Sequence, residues 1–466
     1  MLDSFAYGFS WLWILVPMLL LGSSRQEYVV CFVLVLVLTD VHRHYGFPYV
    51  YLDSAVRSRF PIRFLVLPAI LVAAFVATPL WVKAQLWITP QALFAGLAWG
   101  VVGIRLLNSD RGDGDRPAAN DIAIALLPGL VPPLLAFAFL GAGAPTPVLA
   151  WLWLLGALVS AALLELRVPA RRLPFASPVL VIALAGVTLM FAPMMVDALP
   201  RGRVPFREVF DAIAVAAGIW NFWHVYAQKY GIFRLYNAKG GGPSPVPAWA
   251  DRCFVFAFFP LYVTWLAPNY ADTAIRQFSQ AREIIPRFVE FLLAIQPVAV
   301  PLSLLFALFA VASYLRFEWK SNRFGNPARN SMALGTTALG LAFFAFDPIK
   351  CYLAFAFSHA VEYMVFVWGF QKRRYGGAPL AHDPLIGRIL RHPWVFYLGF
   401  TGILCGLAVY LGFWGALVSP ASERPMFFGI PGWRWLVAWT VYQSLMHFYF
   451  DGFLWKMRDP KLREHL

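Results

Sequence analysis

The sequence predicts an all-α, polytopic integral membrane bundle of about 14 transmembrane helices, and three observations carry that reading. Of 466 residues, 60% are hydrophobic and 13% are charged, whereas a soluble domain carries roughly 25% charged residues. Apolar runs long enough to cross a bilayer recur along the whole chain. Lys and Arg gather at alternate connections between those runs, as the positive-inside rule requires. At roughly 30 to 34 residues per span and connection, the length leaves no sizeable domain outside the membrane. Soluble Rossmann, TIM-barrel and nucleic-acid-binding architectures are thereby excluded, and residues 1–466 read as a single transmembrane domain.

Taken in order, the predicted spans are 6–22, 27–51, 63–82, 86–104, 121–142, 146–166, 174–195, 208–235, 250–268, 286–315, 330–346, 349–371, 394–418 and 432–456. The first, within MLDSFAYGFSWLWILVPMLLLG, lacks the basic start of a signal peptide and is expected to be retained. The second stops before Arg57, Arg59 and Arg63, and the sixth before Arg167, Arg171 and Arg172. Lys229, Arg234 and Lys239 mark the cytoplasmic end of the eighth, Arg316, Lys320, Arg323 and Arg329 follow the tenth, and Lys372, Arg373, Arg374, Arg388 and Arg391 follow the twelfth. Odd-numbered spans are followed mostly by poor connections, where Arg25, Lys83 and Lys350 stand nearly alone, although the seventh and ninth are richer. The N-terminus is therefore expected outside and the C-terminus, KMRDPKLREHL, in the cytoplasm. The stretch Tyr270 to Glu283 is too polar to span and predicts a surface helix near 270–283. The expected location is a multi-pass position in a bacterial inner membrane.

A formal net charge of +14 comes from these helix flanks, so no nucleic-acid partner is expected. Cys31, Cys253, Cys351 and Cys405 lie in apolar stretches without metal-type C-x-x-C spacing, which argues against disulfides and thiolate metal sites. No flavin, nicotinamide or iron–sulfur motif occurs, so any electron donor would be a separate protein.

Ionisable groups are costly inside a bilayer, and each one is by default a functional candidate. Of the eight histidines, His382, His392 and His465 occupy polar connections. His42, His44, His224, His359 and His447 lie in apolar surroundings, all on even-numbered spans that run from outside to inside. Counted to the basic flank of each span, His42, His224, His359 and His447 share one depth, roughly 14 to 22 Å from it at 1.5 Å per residue. Scattered packing histidines have no reason to share direction and depth. His44 should point away from His42 and reads as a packing residue.

Each of the four also has an oxygen-bearing neighbour: Gln228 four after His224, Asp451 four after His447, Glu362 three after His359, and Asp40 two before His42. Residues three or four apart share a helix face. Carboxylate and imidazole at i, i+3 are how helix-bundle di-iron proteins present ligands, in the opposite order; a carboxylate can also sit behind the imidazole and fix its tautomer. The metal-ligating candidates are thus His42, His224, His359, His447, Glu362 and Asp451, with Glu362, Asp451 and Gln228 as candidate catalytic groups. Neutral imidazole with carboxylate suits iron, zinc, copper or manganese. The economical expectation is one or two iron ions activating dioxygen against a hydrophobic lipid or isoprenoid-type substrate drawn from the surrounding membrane lipids. The aromatics Trp220, Phe222, Trp223 and Tyr226, with Phe448, Tyr449, Phe450 and Trp455, are expected to exclude water or to pack the core.

Three other readings use the same residues. A proton-coupled or lipid transporter would employ buried His and acidic groups as relays, with the Pro-interrupted spans at Pro128, Pro132, Pro133, Pro260, Pro297 and Pro301. Paired histidines could hold haem for electron transfer, although the carboxylates would crowd a porphyrin. The Trp223–His224 pair resembles the Trp-His element of membrane-bound O-acyltransferases, which implies one catalytic histidine and leaves the other helices unexplained. The H-x-x-x-H and HH clusters of membrane desaturases are not present. Bacterial membrane carotenoid-cleaving oxygenases are nearest in ligand logic, but no motif ties this chain to them.

Overall fold

The computed structural model describes residues 6–53, 204–239, 246–270, 284–322, 324–375 and 425–454, with scattered positions in 56–163 and 399–411. Among these the chain is helical apart from two short strand pairs. The helices are α1 Leu12–Leu19, α2 Arg25–Tyr45, α3 Phe206–Lys239, α4 Ala248–Val255, α5 Ile284–Asn322, α6 Pro327–Ala345, α7 Pro348–Tyr375 and α8 Gly432–Leu454. Three stretches, Ala248–Tyr270, Pro286–Lys320 and Pro348–Tyr375, are long and apolar enough to cross a membrane. Along α5 the side chains of Val298, Leu302, Leu305 and Phe309 are exposed on one face. Such a stripe is costly in water and costs nothing against lipid tails. The all-α class and the membrane setting follow from these features.

Local signals explain where the helices start. Ser24 caps α2 in a reciprocal box, its Oγ accepting from the Glu27 amide at 3.3 Å while Glu27 Oε2 accepts from the Ser24 amide at 2.9 Å. Asn326 Oδ1 accepts from the Arg329 amide at 3.2 Å and Pro327 opens α6. Asp347 Oδ1 takes the Ile349 amide at the head of α7. Beyond α4, Pro260 lacks the amide that would continue the ladder, and the backbone passes through a π-type turn at Tyr262–Leu266. Gln296 Nε2 donates to the Thr264 carbonyl at 2.9 Å within this irregular stretch.

The chain divides into two compact units, Met1–Tyr49 with Ile213–Ala281 and Val289–Leu466, and Val50–Ala212 with Arg282–Phe288. The second contains the antiparallel pair Trp87–Ile88 with Val204–Pro205. It also holds a close approach at Gly129 and Gly156, where a Cβ on either would collide with the other's carbonyl oxygen. The first unit carries an aromatic core in which Phe222 and Tyr226 of α3 pack against Phe355 of α7, Tyr262 and Phe343.

Within the first unit the predicted spans 208–235, 286–315, 330–346, 349–371 and 432–456 coincide with α3, α5, α6, α7 and α8 to within a few residues. The predicted 27–51 is divided into α2 and a further helix, Phe47–Leu52. The span 174–195, half of 63–82, most of 86–104, 121–142, 146–166 and 394–418, and all of 271–283 lie outside the described residues.

Candidate metal centre

Three helices of the first unit, α2, α3 and α7, run in the same direction, as their register points show, and α8 joins them. Between α2 and α7 the hydroxyl of Tyr28 meets Asp347, His42 meets His359 at 4.9 Å between ring centres, and beyond α2 Tyr49 meets Phe370 at 5.2 Å. Between α3 and α7 Asn221 Nδ2 donates to Tyr352 Oη at 3.0 Å and Lys229 pairs with Glu362. Between α8 and its neighbours Gln443 Nε2 donates to Asp40 Oδ1, and Tyr363 Oη donates to Asp451 Oδ1 at 3.1 Å. Partner numbers rise together between α2 and α7 and between α3 and α7, so these three helices are parallel, and α8 packs against α2 and α7.

At one level of these four helices His42, His224, His359 and His447 converge. Their ring centres form a quadrilateral: His42 to His359 4.9 Å, His42 to His447 4.8 Å, His224 to His359 5.1 Å, His224 to His447 5.1 Å, with His359 and His447 6.1 Å apart across the middle. All four are buried. Nε2 of His42, His224 and His447 and both ring nitrogens of His359 have no hydrogen-bond partner. Leaving a buried polar atom unmatched costs about 1–3 kcal/mol, which makes a cluster of them a candidate binding site. With a metal–nitrogen bond near 2.1 Å, imidazoles around one ion have ring centres about 5 Å apart, which is the spacing found.

The second ring nitrogen of His42 is occupied. Its Nδ1 faces the Thr39 carbonyl one turn back, which places the proton on Nδ1 and aims the Nε2 lone pair at the other imidazoles, the arrangement that orients metal-binding histidines. Asp451 completes the set. Its Oδ2 lies 3.5 Å from Nε2 of both His224 and His447, too long for a hydrogen bond and short enough for the three atoms to share an ion. Among the described residues, the triads His42, His359, His447 and His224, His447, Asp451 each bring their ligand atoms within 4.8 Å of one another.

Other candidates from the sequence are placed differently. Glu362 is fully buried, but its Oε1 takes the Lys229 ammonium and the Ser358 hydroxyl, the latter at 2.8 Å, and Oε2 has no partner. Lys229 is therefore not a flank charge at a membrane surface; it is a buried counter-ion. Asp40 serves Gln443 and Arg43, and His42 relies on a backbone carbonyl in its place. Gln228, one turn beyond His224, has both amide atoms buried without a partner. His44 bonds the Asp40 carbonyl at 3.0 Å through Nδ1 and stacks on Trp439. Trp223 is 37% exposed while His224 is buried, so the two neighbours face different surroundings. Phe448 lies 4.7 Å from His224 and 5.8 Å from His447 and closes one side of the cluster, stacked on Trp220. Phe222 and Tyr226 belong to the aromatic core described above, while the Tyr449 side chain and Trp455 fall outside the described residues. Cys31, Cys253 and Cys351 carry no disulfide.

The sequence reading did not include Tyr363, Ser358, Ser10 or Gln443. Ser10 Oγ and Ser358 Oγ are 3.0 Å apart, extending the Glu362 network toward the N-terminal segment. A Glu362–Ser358 spacing of four was the one signal available for any of these. No protein family, curated protein or solved structure matches the chain.

Proposed function

We propose that the protein is a membrane-embedded, metal-dependent oxidoreductase in which His42, His224, His359, His447 and Asp451 hold a non-haem iron ion that acts on a hydrophobic, lipid or isoprenoid-type substrate. The observation that supports this most directly is the convergence of four buried imidazoles, from four helices, at metal-ligand spacing with unmatched nitrogens. Nitrogen and carboxylate donors suit iron better than the all-oxygen ions, and iron supplies one-electron and dioxygen chemistry. The chain's own part is to hold the ion, keep water away with Phe448 and Trp220, and offer apolar surroundings to the substrate.

The wider arrangement belongs to the same proposal: about 14 spans, the N-terminus outside, the C-terminus cytoplasmic and the centre in the cytoplasmic half of a bacterial inner membrane, with electrons from a separate protein. Haem fits less well. His42 and His224 each stand about 5 Å from both His359 and His447, where a macrocycle between the latter two would have to lie. The buried Lys229–Glu362 pair favours one competing reading, a proton-coupled transporter, because charge pairs of this kind carry protons across membranes.

Elemental analysis of detergent-purified protein, with a visible absorption scan of the same sample, tests the proposal. Stoichiometric iron without a Soret band is expected, and His224→Ala, His359→Ala and His447→Ala are each expected to abolish it while the protein still elutes as a folded species. Unchanged metal content in all three variants would overturn the proposal, and metal-free wild-type protein that resists loading would make the transporter the better reading.

A further inference from the structure

We infer that Tyr363 is a positioning residue that makes Asp451 a fifth ligand of the ion, so that the centre is built from four nitrogens and one oxygen and the phenol decides the coordination number. This rests on the metal-centre reading above.

A carboxylate at the end of a helical side chain can rotate, and which oxygen faces the imidazoles is set by what holds the other. Tyr363 Oη donates to Asp451 Oδ1 at 3.1 Å, and the remaining oxygen, Oδ2, then stands equidistant, 3.5 Å, from Nε2 of His224 and His447. The phenol is itself held by the imidazoles. Its ring meets His447 edge to face at 5.0 Å and His42 at 5.9 Å, and it is buried. Ordering the Tyr363 hydroxyl thus orders the oxygen donor.

Gly46 supplies an independent sign that the hydroxyl position is built in. Its φ of −82° is open to any residue, so backbone conformation does not require glycine at the end of α2. Among the described residues outside its own helix, a Cβ at position 46 would meet one atom within 4 Å, Tyr363 Oη at 2.9 Å. That atom is the one that holds Asp451. Partners of this kind behind a ligand typically govern 10- to 100-fold of metal affinity.

The test uses the full chain in detergent, loaded with cobalt(II), whose visible spectrum separates four-coordinate from five-coordinate sites. Wild-type protein is expected to give the weak bands of five coordination. Tyr363→Phe and Asp451→Asn are both expected to give the same stronger, four-coordinate spectrum and to lose about 10- to 100-fold in cobalt affinity. Gly46→Ala, which leaves every ligand in place, is expected to shift the spectrum in the same direction. If Asp451→Asn changes the spectrum and Tyr363→Phe does not, Tyr363 does not position the ligand and the inference fails. If neither changes it, Asp451 is no ligand and the inference fails while the four-histidine centre stands. Wild-type protein that binds no cobalt or other metal overturns the centre and the inference together.

Discussion

Lys229 shows how one residue changes meaning when its neighbours are known. Read along the chain it is one of several basic residues closing the eighth span; in the fold it is 3% exposed and paired to Glu362, which is fully buried. Removing one member of a buried ion pair leaves the other uncompensated and costs about 3–5 kcal/mol, whereas replacing both with apolar groups is often neutral. Lys229→Met is therefore expected to lower the thermal unfolding midpoint sharply, Lys229→Met with Glu362→Met to restore most of it, and both to keep their metal. Melting curves with elemental analysis of the same samples check this; loss of metal in Lys229→Met alone would return Glu362 to the ligand set. The four histidines were legible because depth and direction can be counted from basic flanks. The Lys229–Glu362 pair was not, because the residues belong to different helices and only a register between α3 and α7 brings them together. Asp40 misled for a related reason: two residues before His42 it points to another side of the helix, and the imidazole uses the Thr39 carbonyl.

At the scale of elements, the apolar runs located α3, α5, α6, α7 and α8 nearly to their ends, since length and composition are local properties. What holds those helices to one another was hidden. Arg329, counted in the sequence as a charge after the tenth span, is completely buried at the start of α6. It bonds Glu318 of α5 at 2.8 Å and Asp251 of α4, and its guanidinium lies 4.0 Å over the ring of Phe233 on α3. Asp251 in turn receives Arg234 of α3 at 2.7 Å. One guanidinium therefore ties four helices. Its planar fork serves two carboxylates and a ring face at once, which an ammonium cannot do. Arg329→Lys is expected to be destabilising despite the retained charge, and Arg329→Met more so, by about 3–5 kcal/mol. Denaturant titration followed by tryptophan fluorescence would show the order, with equal stability of Arg329→Lys and wild type as the contrary result.

At the scale of the whole molecule, the proposed centre, with ligands from four helices, would couple ion binding to the packing of all four. Any species that binds the folded form alone stabilises it by mass action, about 2.7 kcal/mol at a free concentration one hundred times its dissociation constant. Stripping the metal with a chelator is expected to lower the melting temperature of the wild type and to leave His359→Ala unchanged, because that variant has no ion to lose. A chelator effect of equal size on both would mean that stability does not pass through the histidines. The number of spans and the side on which each terminus lies are properties of the chain in its membrane, and they rest on the charge count along the sequence.

The parallel course of α2, α3 and α7 also bears on how the protein is made. Helices that point the same way cannot be consecutive passes through a bilayer; under the proposed membrane arrangement the chain would return between each pair, and the proposed ligands would enter one at a time. His42 emerges from the ribosome early, and His447 and Asp451 only after α8 has been synthesised. Until then the three earlier imidazoles form an incomplete, open set. Under the proposed metal centre, loading would therefore follow the synthesis of α8, and a chain stopped before residue 432 would lack two of the five proposed ligands, His447 and Asp451.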